Sequence, residues 1–128
     1  MTLLFCGDIM EKLVQIGILY DFYGKLLSEK QLQVIELYYI YDLSLTEIGE
    51  ELDITKQGVS DTLKRAERKL LKYEDTLGLV KKFRNSHDRA RNIINLCDEL
   101  KEISNEKKLN DIGHKAHMIE KLCLEILE

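Results

Sequence analysis

Seven polar or charged residues, all but one of which can bind a polyanion, recur along one stretch of the sequence at the spacing of an exposed helical face. Lysine and arginine neutralise phosphate, while glutamine and serine can contact base edges, so the stretch has the chemistry of a nucleic-acid-binding helix. Gln57 can pair with adenine, whereas Asp61 repels phosphate unless it accepts a hydrogen bond from a cytosine amine. The alternative is that the cations only solvate a long helix. The candidate residues are Lys56, Gln57, Ser60, Asp61, Lys64, Arg65 and Arg68.

No other group of residues predicts catalysis or a cofactor. His114, His117 and Glu120 fall on one predicted helical face and could hold a metal ion, but a fourth ligand is missing, so we prefer to interpret them as solvated side chains. The sequence has no glycine-rich phosphate loop, nucleophile elbow or paired-carboxylate motif. We therefore expect a protein that is not an enzyme and has no metal or cofactor.

The segment before the basic stretch predicts the first helix and the turn of a helix-turn-helix. Ser44 and Glu47 have the spacing of a capping box, which predicts a helix that begins near Leu45. Asp53 tolerates the left-handed backbone of a tight turn, and Thr55 can cap the helix that follows. The predicted motif covers residues 45–64.

The second helix of this motif is expected to run from Lys56 to about Thr76, with Gly78 as its C-terminal stop. Its first turns would lie nearest to base edges in a major groove, with the flanking cations on phosphates. The apolar residues that should pack between the two helices are Ile48, Leu52, Ile54, Val59 and Leu63.

Four more helices are predicted from apolar spacing. Residues 9–27 form one amphipathic pattern, and a capping box at Ser28 and Gln31 precedes a supporting helix that continues to Ile40. The last two patterns, 79–100 and 112–126, are joined near 104–110. The crowded tyrosines of the supporting helix can stack on unpaired bases, but we favour a place in the core or at its rim. These are Tyr38, Tyr39 and Tyr41.

The predicted fold class is therefore all-α, with a helix-turn-helix domain at residues 10–78 and a C-terminal helical extension at 79–128. The extension can fold back as a hairpin or associate with another copy. Its apolar stripes need cover, which a small domain can find in a partner chain, so we expect a homodimer. Residues 1–9 are expected to lie outside the fold and to carry no function.

Charge is distributed unevenly along the chain. The formal net charge is −4, yet residues 55–97 hold 11 Lys and Arg against 5 Asp and Glu, while both flanking regions are acidic. Binding of a polyanion depends on the local field, so one basic face in an acidic protein is sufficient. The three cysteines form no C-x-x-C pair, which predicts buried thiols in a reducing cytoplasm. No apolar stretch approaches the length of a membrane span.

Residues 10–83 resemble a known family. The stretch FYGKLLSEKQLQVIELYYIYDLSLTEIGEELDITKQGVSDTLKRAERKLLKYEDTLGL is similar to region 4 of bacterial sigma factors and closer still to the YlxM family. This resemblance implies a small cytoplasmic helix-turn-helix protein that is accessory to the signal recognition particle pathway. It also implies the particle's targeting GTPase and RNA as associates, with the recognition helix at Thr55–Lys72.

Two positions depart from the usual helix-turn-helix pattern. Gly49 stands where alanine is common, and Asp53 stands where glycine often forms the turn. Gly49 costs up to about 1 kcal/mol of helix propensity but permits a close approach of the helices. Our first hypothesis is a regulatory protein that binds DNA or the particle RNA. The second is an adaptor that docks on the targeting GTPase without contacting nucleic acid, which Asp61 and the overall acidity favour.

Overall fold

The computed structural model describes residues 9–128. The helices are α1 (Ile9–Tyr23), α2 (Glu29–Ile35), α3 (Leu45–Leu52), α4 (Lys56–Leu77), α5 (Leu79–Lys107) and α6 (Asn110–Leu127). No strand occurs in this range, and the all-helical fold class is confirmed. Residues 1–8, which make up most of the segment expected to carry no function, lie outside the described residues. The chain divides into two compact units, Met1–Val80 and Lys81–Glu128.

The predicted helix over residues 9–27 is shorter in the structure. α1 ends at Tyr23, and a single 3₁₀ turn at Gly24–Leu26 follows it. Gly24 is buried, and a Cβ atom at this position would lie 3.0 Å from the ring of Tyr20. The α-helix therefore ends where Gly24, which has no side chain, lets the backbone pass close to the ring of Tyr20.

The supporting helix is not continuous, which corrects the prediction of one helix up to Ile40. α2 begins with the predicted capping box, in which the Gln31 amide donates to Ser28 Oγ at 3.3 Å. The chain then widens into a π-helix at Glu36–Ile40, closed by a bond of 3.0 Å from the Tyr41 amide to the Glu36 carbonyl oxygen. Apolar spacing does not distinguish this five-residue hydrogen-bond pattern from an α-helix.

The core of the first unit is formed around α4. This helix packs against α1, α2 and α3, and its buried side consists mostly of small and branched apolar residues. The predicted contacts between α3 and α4 are present, with Leu52 and Ile54 only half-buried. The buried residues of this core are Ile16, Leu19, Tyr23, Leu27, Val34, Ile35, Ile48, Val59, Leu63, Ala66, Leu70 and Val80.

A buried polar cluster closes the C-terminal end of α4. The Glu74 carboxylate, only 2% exposed, accepts hydrogen bonds from the Tyr23 hydroxyl at 2.5 Å and from the Val80 amide at 3.0 Å. The Tyr23 hydroxyl in turn accepts a bond of 3.1 Å from the Leu79 amide. Gly78 has the left-handed backbone (φ 62°) that ends the helix, as predicted. Burial is the main cause that raises the pKa of Tyr23, so the phenol stays protonated as the donor.

The second unit is a helical hairpin. Lys108 and Leu109 alone separate α5 from α6, so the connection is shorter than the predicted 104–110. Lys108 has a left-handed backbone (φ 55°) that ends α5. The Ser104 hydroxyl donates to the Leu109 carbonyl oxygen at 2.5 Å and accepts from the Gly113 amide at 3.1 Å. These bonds stabilise the tight return of the chain.

Candidate nucleic-acid interface

The first helix of the motif begins at the predicted capping box. Ser44 Oγ accepts a hydrogen bond of 3.1 Å from the Glu47 amide, and Glu47 Oε1 accepts one of 3.0 Å from the Ser44 amide. The bond from the Ser44 backbone is the main cause that lowers the pKa of Glu47. The carboxylate is therefore held in its charged form at the positive end of the helix dipole.

The turn between α3 and α4 is tight and depends on Gly49. Asp53 has the predicted left-handed backbone (φ 56°), and the Ile54 amide donates to the Gly49 carbonyl oxygen at 3.0 Å. A Cβ atom on residue 49 would lie 2.8 Å from the Ile54 carbonyl oxygen, which is too close. Thr55 Oγ1 then accepts from the Gly58 amide at 3.0 Å and caps α4. The glycine is thus required by the backbone of the turn.

The structure places the predicted contact residues on the outer side of α4. Every one of them is exposed except Ser60, which is half-buried. They lie away from Val59, Ala66 and Leu70, which face the core of the unit. α4 is therefore central to the fold on one side and open to solvent on the other. This arrangement leaves a basic helical face free to contact a ligand.

Two of the predicted base-reading residues are bonded to each other. Gln57 Nε2 donates to Asp61 Oδ1 at 3.0 Å, one helical turn apart on the exposed surface. The bond orients the amide, and it engages one carboxylate oxygen without cancelling the negative charge. Direct contact between Gln57 and adenine would require this bond to break or to be shared. The polar part of the face is thus more constrained than the sequence suggests.

The basic part of the face borders a surface cavity of about 320 Å³. Arg65 and Arg68 line it together with Lys69 and Lys72, two lysines outside the predicted set of contacts. Both lysines lie four residues after a predicted site residue, so helical spacing contained the signal that could have identified them. Gln31 of α2 completes the lining. The aliphatic stems of these basic residues form most of the cavity wall, and their four positive charges together attract phosphate more strongly than isolated side chains.

On another side of α4, Ser60 and Lys64 border a second cavity of about 330 Å³. Its wall includes Glu67, whose carboxylate accepts from the Tyr39 hydroxyl and lies 3.5 Å from the Lys12 ammonium. Burial, followed by the bond to Glu67, raises the pKa of Tyr39. Tyr39 is therefore held as a structural hydrogen-bond donor.

The remaining tyrosines and the candidate metal group of His114, His117 and Glu120 do not form a site like the two cavities beside α4. Tyr38 packs against the core with Tyr39, as expected, while Tyr41 is 66% exposed. Glu120 of the candidate metal group is instead bonded to Lys101 Nζ at 2.9 Å. Between residues 9 and 128, no group of three or more His, Cys, Asp and Glu side chains could hold a metal ion. None of the described helices is both long and apolar enough to cross a membrane.

The capped helices, the tight turn and the exposed basic helix define an all-helical protein of the helix-turn-helix class. The chain belongs to the family of YlxM / p13 like helix-turn-helix proteins, UPF0122, whose family model matches residues 10–113. This finding confirms the resemblance found in the sequence. Membership in a helix-turn-helix family suggests nucleic-acid binding.

Several curated relatives cover most of the chain. A UPF0122 protein of Desulforamulus reducens is 51% identical over 89 residues, which are 70% of this chain and 76% of the relative. A UPF0122 protein of a Thermoanaerobacter species is 46% identical over 114 residues, 87% of this chain and 90% of the relative. One of Clostridium kluyveri is 41% identical over 103 residues, 80% and 93% of the two chains.

Proposed function

We propose that the exposed face of α4 binds nucleic acid, with its C-terminal half as the main phosphate contact. The observation that carries this proposal is the cavity lined by Arg65, Arg68, Lys69 and Lys72, next to the base-proximal residues of a helix-turn-helix. Cations on phosphate supply affinity and position the helix, and the first turns of α4 then supply any preference for sequence. The proposed contacts are Lys56, Gln57, Ser60, Asp61, Lys64, Arg65 and Arg68.

The proposed biological role is non-enzymatic and regulatory, in or around the signal recognition particle pathway in the cytoplasm. This role rests on the family resemblance, and its proposed ligand is DNA or the particle RNA. A homodimer belongs to the same proposal, because the apolar residues exposed on α5 and α6 need cover.

Salt-dependent binding tests the proposal. The full chain is titrated into a labelled DNA duplex and into a labelled RNA hairpin at two or more salt concentrations. The double variant Arg65→Ala/Arg68→Ala should bind both ligands more weakly and should flatten the slope of log K against log salt by about 2. The matched control, Lys25→Ala/Lys121→Ala, removes the same charge at exposed positions outside α4. The proposal is wrong if no ligand shows salt-sensitive binding, or if the two double variants behave alike.

A second candidate function is that of an adaptor that docks on the targeting GTPase without nucleic acid. Exposed acidic residues favour this function. Asp61 lies within the exposed face of α4, and Glu50, Glu51 and Asp53 are exposed on and after α3. Capture of the GTPase by the tagged chain, with and without nuclease treatment, separates the two functions. Capture that survives nuclease supports the adaptor, and capture that is lost supports an assembly held together by nucleic acid.

A further inference from the structure

The two helices of the second unit meet along a seam of mostly small residues. Cys97 and Ser104 of α5 are buried, as are Ala116 and Cys123 of α6. Lys101 Nζ crosses the seam to Glu120 Oε2 at 2.9 Å. Near the connection, a Cβ atom on Gly113 would lie only 2.7 Å from Ser104 Oγ. These contacts fix the register of an antiparallel pair.

Each helix carries a second apolar stripe beside this seam, and this stripe is exposed. On α5 the stripe residues are spaced by three and four positions, and on α6 by seven, three and four, which is heptad spacing. Their exposed fractions range from 40% to 61%. The stripe residues are Ile93, Leu96, Leu100 and Ile103 on α5, and Ile112, Ile119, Leu122 and Ile126 on α6.

The two stripes lie on the same side of the hairpin. Leu96, Leu100 and Ile103 immediately precede the seam residues Cys97, Lys101 and Ser104, and the α6 stripe residues precede seam positions in the same way. Each step of one residue along an α-helix rotates the side-chain direction by about 100° around the helix axis. Because the helices are antiparallel, the same rotation from the seam turns both stripes toward one side. The hairpin therefore presents one continuous apolar face, which we call the hairpin face.

We propose that the hairpin face binds the hairpin face of a second copy, so that two chains form a four-helix bundle. Eight side chains that are about half exposed would bury on the order of 700 Å² per copy, near the ~800 Å² per partner of a stable interface. Heptad spacing on both helices favours a helical partner that packs knobs into holes. A two-fold axis then supplies the complement without a second protein.

The charges that border the hairpin face also favour self-association. Arg89 and Lys107 continue the α5 stripe at its two ends, and Lys115 lies near the connection. Glu99 and Asp111 are exposed at the outer border of the stripes. A border with both signs of charge can pair with its own copy, whereas a strongly acidic or basic partner would meet repulsion on one part of it. Lys115 lies between Ile112 and Ile119 on the α6 stripe, where its aliphatic stem can pack while its ammonium group reaches solvent. The remaining stripe positions are apolar, as the core of a stable interface requires.

This inference rests on the homodimer named in the proposed function and assigns its interface. The oligomeric state tests it separately from nucleic-acid binding, since it is measured on the protein alone. Sedimentation equilibrium of the full chain should give about twice the chain mass of 15.0 kDa at micromolar concentration. Ile119→Glu places a charge in the centre of the hairpin face on both copies, and it should weaken the dimer by about 100-fold or more. Leu124→Glu is the matched control, because Leu124 is 48% exposed and lies about 140° around the axis of α6 from Ile119. This control should stay within about 3-fold of the wild type.

A second measurement uses the wild-type protein and avoids the question of whether a variant folds. Amide hydrogen exchange of residues 93–103 and 112–126 should slow as protein concentration rises through the dimer range, with exchange in residues 11–77 unchanged. A wild-type monomer at tens of micromolar would overturn the proposal. Equal effects of the two glutamate variants, in proteins with wild-type helical content by circular dichroism, would overturn it as well.

Discussion

Replacing Gly49 by alanine tests whether the turn of the helix-turn-helix is limited by backbone contact. By helix propensity alone, Gly49→Ala should stabilise α3 by about 1 kcal/mol. In the structure, the new Cβ would lie 2.8 Å from the Ile54 carbonyl oxygen, which belongs to the turn and cannot move alone. Displacing it strains the bond from the Ile54 amide to Gly49, worth about 0.5–1.5 kcal/mol, and the Thr55 cap, worth about 0.5–2 kcal/mol. We expect a net destabilisation of about 1–2 kcal/mol.

Gly17→Ala is the matched control for this variant. Gly17 is also helical, within α1, but nothing lies within 4 Å of a Cβ atom there, so we expect stabilisation of about 0.5–1 kcal/mol. All six tyrosines lie between residues 20 and 73 and tryptophan is absent, so tyrosine fluorescence during urea unfolding reports on the first unit. The two substitutions should therefore shift the midpoint in opposite directions. A Gly49→Ala protein as stable as Gly17→Ala would show that contact with the Ile54 carbonyl oxygen does not limit the turn.

Three further substitutions test separate parts of the structure. Asp61→Asn should tighten binding to nucleic acid by about 3–10-fold at low salt, since it removes the negative charge from the basic face; weaker binding to every ligand would contradict this. Tyr23→Phe should lower the free energy of unfolding by about 1–3 kcal/mol, because it removes one donor from buried Glu74, whereas Tyr41→Phe at an exposed position should change it little. The capping box lowers the pKa of Glu47 in the folded state, so its contribution to stability is present above the ordinary glutamate pKa of 4.5 and is lost as pH falls through the lower folded value. Glu47→Gln should reduce this loss of unfolding free energy at low pH, measured by urea unfolding at several pH values. If the loss is unchanged in the variant, the capping box is not its source.

Local chemistry made the helix-turn-helix predictable from sequence. Ser44 and Glu47 act within four residues of each other, and Asp53 and Thr55 act on their own neighbours, so their roles need no knowledge of the tertiary fold. The glycine at position 49 was recognised as a site of close approach. That it faces the Ile54 carbonyl oxygen could be seen only once the turn was built.

Features that depend on distant partners were missed. The burial of Glu74 requires Tyr23, 51 residues earlier in the chain, and no local pattern predicts that a glutamate will be enclosed. The π-helix at Glu36–Ile40 has the same apolar spacing as the α-helix expected there. Within the candidate site, the exposed cations were predictable from helical spacing, but their grouping around one cavity with Gln31 depends on how α2 packs on α4.

The most direct test of nucleic-acid binding by α4 is to map which residues respond when nucleic acid binds. Chemical-shift changes in ¹H–¹⁵N spectra of the full chain, titrated with a short DNA duplex and separately with an RNA hairpin at low salt, give this map residue by residue. The largest changes should fall on amides of residues 56–72 and on the side-chain signals of Arg65 and Arg68. Saturable binding with its largest changes outside α4, or no binding of either ligand, would contradict this prediction.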